Sequence, residues 1–320
     1  MIIVTGGSGF IGSNLISSLN NLGEENILVV EELNSNTEKF NNLDNLNYID
    51  CVDNKKFLED IKNNTKDYTK KIDLIFHLGA CSKTTEQDRD YIMDTNFDYS
   101  KELLHYCANS GTNFIYASSA SVYGSGTKFS EDPKNESFLN HYAESKYKFD
   151  QYYREYKDRI DTQVVGLRYF NVFGPRESHK KEMSSVIYHF YHQMKSNKII
   201  NLFEGSHGYT DGEQERDFIF VDDTIAIKLW FMNNKNISGI YNVGTGESNT
   251  FNNVANAVIE NFDSGQIEYI DFPKNLEKQY QAYTKADISS LRNVGYEKKF
   301  FSLNESVKKY IDWLSQPNGS

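Results

Sequence analysis

Residues 5–12 read Thr5-Gly6-Gly7-Ser8-Gly9-Phe10-Ile11-Gly12, directly after the apolar run 1–4. A strand that ends in glycines and reopens as a helix is a place where a dinucleotide phosphate can rest. Gly6 permits the tight turn, Gly9 lets the backbone approach a pyrophosphate, and Gly12 allows the helix to close on the strand. Phe10 and Ile11 begin that helix, whose free N–H groups and positive dipole end face the anion.

Working outward, apolar runs at 1–5, 27–30, 46–49, 74–78, 113–118 and 163–168 alternate with helical patterns at 12–22, 94–110 and 142–156. Near-continuous apolar strands signal burial on both faces, so the expected fold is α/β: a doubly wound, parallel, Rossmann-type sheet with a second, smaller α/β substrate domain. The expected boundaries are 1–171 with a returning segment at about 216–245 for the dinucleotide domain. The substrate domain then takes 172–215 and about 246–320. After residue 168 the rhythm breaks into a helix at 183–196, a polar loop at 210–215 and short strands at 217–221 and 267–270.

Glu31 and Glu32 follow the second strand, where a carboxylate accepts hydrogen bonds from adenosine ribose hydroxyls. A 2′-phosphate would instead need a cation, and Lys39 is the candidate, so NAD and NADP both stay open on local chemistry. Gly79, Ala80, Cys81 and Ser82, after the fourth strand, offer small side chains to the cofactor. Asn96 is read either as orienting backbone nearby or as a cap.

In Tyr142-Ala143-Glu144-Ser145-Lys146 the phenol and the ammonium are four apart, so one helix face carries both. A free phenol ionises near pH 10, about three units too high for a base at neutrality; a Lys ammonium and a positive nicotinamide both favour phenolate. Ser119, in YASSASVYG (116–124), would hold the substrate oxygen in line with Tyr142. Either motif alone is weak, but the cradle upstream makes the pair specific.

The 320 residues are 38% apolar and 25% charged with a net charge of −11, which suits a soluble globular protein and disfavours a nucleic-acid partner. No apolar run reaches the roughly 20 residues of a membrane span, so a cytoplasmic protein with no membrane partner is expected. Cys51, Cys81 and Cys107, with no CxxC, are expected to be buried structural thiols and not a metal site.

These motifs resemble the extended short-chain dehydrogenase/reductase family of nucleotide-sugar enzymes. Within it, SKELLHYC (100–107), RYFNVFGPRESHK (168–180), LFEG (202–205), RDFIFVDD (216–223), SGIYNVGTGESNTF (238–251), GQIEYIDFP (265–273) and YQAYTKADISSLRNVGY (280–296) are similar to the branch of epimerases acting on ADP-linked heptose. The resemblance implies inversion at C6″ of such a heptose. That carbon is not beside a carbonyl, so it is oxidised to a ketone, turned, and given the same hydride back on the other face, with the cofactor used catalytically. It further implies NADP, a homo-oligomer (a pentamer), and a role in the heptose of bacterial lipopolysaccharide.

By the same likeness Lys180 is the second acid/base, although residue chemistry alone reads the Lys180-Lys181 pair as a solvated surface. Leu78 and Val172 fall at cofactor positions, and Asn171, Glu182, His189, Phe203, Glu204, Gly205, Ser206, Arg216 and Tyr280 at substrate positions, with Arg216 the diphosphate partner. The chain departs from the family where Glu31-Glu32 replaces Asp-Asn, Asn54 a Lys, Leu78 a Glu and Gln279 an Arg, and where loop 207–215 is longer. The first two changes remove attraction for a 2′-phosphate. A 4,6-dehydratase is disfavoured because Ser119-Ala120-Ser121 supplies no carboxylate; a hexose 4-epimerase is the nearer rival, and a non-catalytic cofactor sensor would be expected to lose Tyr142, Lys146 or Ser119.

Overall fold

The structure, a computed structural model, describes residues 1–33, 37–66, 72–274 and 280–316. The chain divides into two compact units: Met1–Val122, Glu136–Arg168 and Ile225–Tyr241 in the first, Tyr123–Asn135, Tyr169–Thr224 and Asn242–Ser320 in the second.

The first unit is organised by strands β1 (Ile2–Thr5), β2 (Ile27–Glu31), β3 (Asp50–Asp53), β4 (Leu74–His77), β5 (Asn113–Ser119) and β6 (Val164–Tyr169). Their order across the sheet is β3-β2-β1-β4-β5-β6, with a seventh strand, Gly239–Val243, beside β6. Every residue of β1, β2 and β4 is buried, as double coverage by helices demands. Those helices are α1 (Phe10–Asn21), α2 (Asn54–Asn63), α3 (Arg89–Ile92), α4 (Tyr99–Ser110) and α5 (His141–Tyr156). On one face Ile3, Leu28, Phe57, Leu104, Phe114 and Phe149 form a continuous core, each worth about 2 kcal/mol of apolar burial.

β1 pairs in parallel with both β2 and β4, so Ile2 has Ile27 on one side and Leu74 on the other. The chain winds outward from β1 in two directions, and the crevice at the carboxyl ends of β1 and β4 is where such sheets take ligands. The Gly-rich turn and the 77–82 segment both leave the sheet there.

Two sequence expectations need correction, and one strand was not expected. The third strand is Asp50–Asp53, not 46–49, and Ile49 is exposed. A sheet-edge strand paired only to β2 needs backbone partners more than apolar side chains, so its polar sequence hid it. The expected helix at 94–110 is broken by a π-helical turn, Met93–Asp98, which carries Asn96. The seventh strand was legible only as part of a motif.

The second unit holds three short two-stranded sheets: Asn171–Phe173 parallel to Phe218–Phe220, Ile199–Phe203 parallel to Gln266–Ile270, and Glu215–Arg216 antiparallel to Asn249–Thr250. Helices Val186–Ser196, Phe251–Ile259 and Leu303–Leu314 cover them, the last started by a capping box between Ser302 and Glu305. Among the described residues no helix is long and apolar enough to cross a membrane.

Candidate active site

The phosphate cradle is built by backbone crowding. Gly6 has φ +69°, and a Cβ there would meet the Gly79 nitrogen at 2.6 Å; one on Gly12 would sit 2.1 Å from the Gly6 carbonyl oxygen. Gly9 precedes α1 without a side-chain cap, so the first-turn N–H groups keep their affinity for an anion. Phe10 is buried and Ile11 half-buried beneath this turn. The chemistry and the space fit a dinucleotide pyrophosphate.

Beside the cradle lies a cavity of about 150 Å³ that brings together Gly6, Glu31, Glu32, Lys39, Gly79, Ala80 and Cys81. Asn54, flagged as a departure, also lines it, and so do Tyr91, Thr95 and Tyr99, which sequence reasoning missed. Glu31 is buried and committed: one carboxylate oxygen accepts from the Ser8 N–H (2.8 Å) and hydroxyl (2.7 Å), the other from Lys39 Nζ (2.7 Å). It therefore anchors the Gly-rich turn to the end of β2. Lys39 is neither a lone cation nor a solvated loop charge, and Glu32 presents the exposed carboxylate. Ser82 is exposed, while Leu78 donates its N–H to the Thr5 carbonyl.

The segment after β4 is held by side chains. His77 bonds Thr5 Oγ1 (2.7 Å) and Ser100 Oγ (2.8 Å), and the Thr5 hydroxyl accepts from Gly79 N–H (3.0 Å). Burial, with a smaller push from Lys146, lowers the His77 pKa to about 3, so the ring is a neutral strut. Asn96 grips both backbone groups of Cys81, accepting from its N–H (2.8 Å) and donating to its carbonyl (3.0 Å), and donates to Ser145 Oγ (3.1 Å) on α5. The orienting role holds over the capping one. Of the cysteines, all free, only Cys107 is a fully buried core thiol; Cys51 and Cys81 are half-buried.

Helix α5, capped by Asn140, carries Tyr142 and Lys146 toward the carboxyl end of β5 and Ser119. Burial raises the Tyr142 pKa, and a hydrogen bond with Ser119 pulls it back. Lys146 Nζ lies 6.0 Å from the Tyr142 ring centroid and donates to the Ala117 carbonyl at 2.8 Å. Burial lowers its pKa to about 8, against the opposing pull of Asp150. Behind them is a buried network that sequence reasoning missed. Asp150 accepts from Tyr116, Ser118 and Arg168, and Arg168 also reaches Glu136, which is gripped by Arg154. Its partners lie up to 34 residues apart, so no spacing rule announces it.

In the second unit Lys180 is not a solvated surface lysine. It is partly buried 3.7 Å from Glu177, itself fully buried and holding the Ser185 N–H (2.7 Å) and hydroxyl (2.6 Å). Burial lowers the Lys180 pKa, and Glu177 resists. Arg216 is buried with its guanidinium 4.8 Å from the Tyr280 ring centroid, and burial lowers its pKa as well. Tyr280 stacks edgewise on Phe272, which meets Phe203, giving an aromatic wall beside a cation. Asn171 and Val172 lie on one short strand; Glu182, Glu204 and Gly205 are exposed; Ser206 accepts from Gln214 (3.0 Å), and His189 sits against Tyr188. Gln279 lies outside the described residues.

A glycine cradle at the switch point of a doubly wound sheet, with a Ser, Tyr and Lys set on β5 and α5, defines a nicotinamide-dinucleotide enzyme of the short-chain class. Residues 2–244 match the model of the NAD dependent epimerase/dehydratase family, and the chain belongs to that family. It is 49% identical over 312 residues to the ADP-L-glycero-D-manno-heptose-6-epimerase of Alkalilimnicola ehrlichii, covering 98% of this chain and 97% of that one. Among solved structures it is similar to the Helicobacter pylori ADP-L-glycero-D-manno-heptose-6-epimerase (TM-score 0.80, 29% identity, 97% and 94% of the two chains). It is also similar to the UDP-N-acetylglucosamine 4-epimerase of Methanobrevibacter ruminantium (TM-score 0.79, 26% identity, 98% and 97%).

Proposed function

We propose that this chain is an isomerase that interconverts ADP-D-glycero-β-D-manno-heptose and its L-glycero epimer at C6″. The observation that carries the reading is 49% identity across 98% of the chain to a relative bearing that activity in its name. The two TM-scores of 0.80 and 0.79 separate nothing, since heptose and hexosamine epimerases share the scaffold.

A nicotinamide bound here supplies the hydride acceptor and donor. Tyr142, hydrogen-bonded to Ser119, takes the proton of the C6″ hydroxyl while Ser119 holds the oxygen. Lys146 contributes positive charge that lowers the cost of the phenolate. Inversion presents the oxygen from a second direction, and we assign the second acid/base role to Lys180, whose amine is held by Glu177. Arg216 and Tyr280 fit the diphosphate and base of the nucleotide.

For the cofactor, the family resemblance favours NADP, but the Lys39 charge is already engaged by Glu31. A 2′-phosphate must compete with that carboxylate, whereas NAD need not. Glu31→Gln is expected to strengthen NADP binding about tenfold relative to NAD by titration calorimetry. The function is tested by proton NMR of C6″ on incubation with the D-glycero substrate. Conversion that falls about 10³-fold in Tyr142→Phe, with cofactor binding retained, supports the reading; no conversion by a cofactor-loaded protein, with turnover of a UDP-hexose, replaces it with the hexose reading.

A further inference from the structure

Lys146 does not reach its charge balance alone. Its ammonium donates to the carbonyl of Ala117, and the two residues flanking that carbonyl, Tyr116 and Ser118, both donate to Asp150, at 2.9 and 2.8 Å. Alternate residues of a strand share a face, so Tyr116 and Ser118 point together at α5, where Asp150 sits one turn beyond Lys146. One carboxylate thus pins β5 on both sides of the oxygen that Lys146 uses. Asp150 is fully buried, and both its oxygens are occupied.

Asp150 completes a charge-balanced cluster. Arg168 donates to Asp150 (2.9 Å) and to Glu136 (2.6 Å), and Arg154 pairs with Glu136 (2.7 Å), so two carboxylates face two guanidinium groups. The other groups near Lys146 add little charge: Tyr142 and Tyr116 are phenols that burial keeps protonated, Cys81 is a thiol that burial keeps protonated, and His77 is neutral. Without Asp150, the Arg168–Glu136–Arg154 cluster would carry one net positive charge behind Lys146.

Resting on the reading that Tyr142 and Lys146 run the hydride chemistry, we propose that Asp150 is a positioning residue for Lys146: it fixes the Ala117 carbonyl and balances Arg168, so that Lys146 keeps its ammonium. A purely structural Asp150 would lower stability when replaced but leave the Lys146 titration where it is.

The test follows the Lys146 signal in ¹³Cε-lysine-labelled, full-length protein against pH, the signal being identified by its loss in Lys146→Met. Asp150→Asn is expected to move this titration down by about one pH unit, and Arg168→Gln to move it up by a comparable step. Asp150→Glu, which keeps the charge, should leave it within about 0.3 units. In Asp150→Asn the high-pH limb of kcat should follow the titration, with kcat at pH 7.5 falling about threefold and KM little changed. An unmoved titration in folded Asp150→Asn overturns the proposal; if that variant does not fold, an unmoved titration in Arg168→Gln does so. A shifted titration in a protein whose wild type does not turn over ADP-heptose supports the proposal and faults the substrate assignment instead.

Discussion

Lys146 and Lys180 are both lysines whose charge burial disfavours, yet they are held in opposite ways. Lys146 is bound to a backbone carbonyl, and its counter-charge, Asp150, acts from one helical turn away. Lys180 lies 3.7 Å from its own carboxylate, Glu177, on a short 3₁₀ turn where Lys181 has φ +53°. The difference teaches that a lysine fixed in a rigid sheet–helix frame is suited to exert a constant field. One paired to a single acid on a turn is suited to give and take a proton.

The largest effect should come from separating the two roles. Lys180→Met is expected to lower kcat about 100-fold while leaving the cofactor Kd within twofold, whereas Lys146→Met should weaken cofactor binding as well as kcat. Titration calorimetry beside steady-state kinetics reads the split, and equal effects on cofactor affinity would erase the distinction. Glu177→Gln tests the pairing more gently. Because Glu177 raises the Lys180 pKa, its loss should shift the high-pH limb of kcat downward and reduce kcat several-fold, about fivefold at pH 8.

The smallest effect is on stability and has a definite sign. Lys146 has a folded pKa lowered to about 8 from 10.5, so between these values the unfolded chain binds more protons than the folded one. Its contribution therefore destabilises the fold fully below pH 8, and the penalty fades as pH rises toward 10.5. Lys146→Met should be more stable than wild type at pH 7 by about 1–2 kcal/mol, with the advantage gone near pH 10.5, as urea melts at the two pH values would show. A variant less stable at both would mean that the bond to Ala117 outweighs the buried charge.

Much of the first unit was legible because its signals are local. Gly9 and Gly12 answer a steric demand from the Gly6 carbonyl within the same eight residues, and Tyr142 and Lys146 share a helix face by spacing alone. The edge strand Asp50–Asp53 was misplaced because an edge needs few apolar side chains, and the π turn around Asn96 leaves no compositional trace.

Sequence by itself therefore determined the alternating fold, the Gly-rich turn and the placement of Tyr142 and Lys146 on one helix face, since each has its signal within a few positions. Tertiary structure alone decided which charges meet. It engaged Lys39 with Glu31, lodged Lys180 against Glu177, and joined Asp150 to Tyr116, Ser118 and Arg168 from two separate strands. Buried charges must find partners wherever the fold brings them, because an unpaired one costs several kcal/mol, and that search is not confined to the local chain.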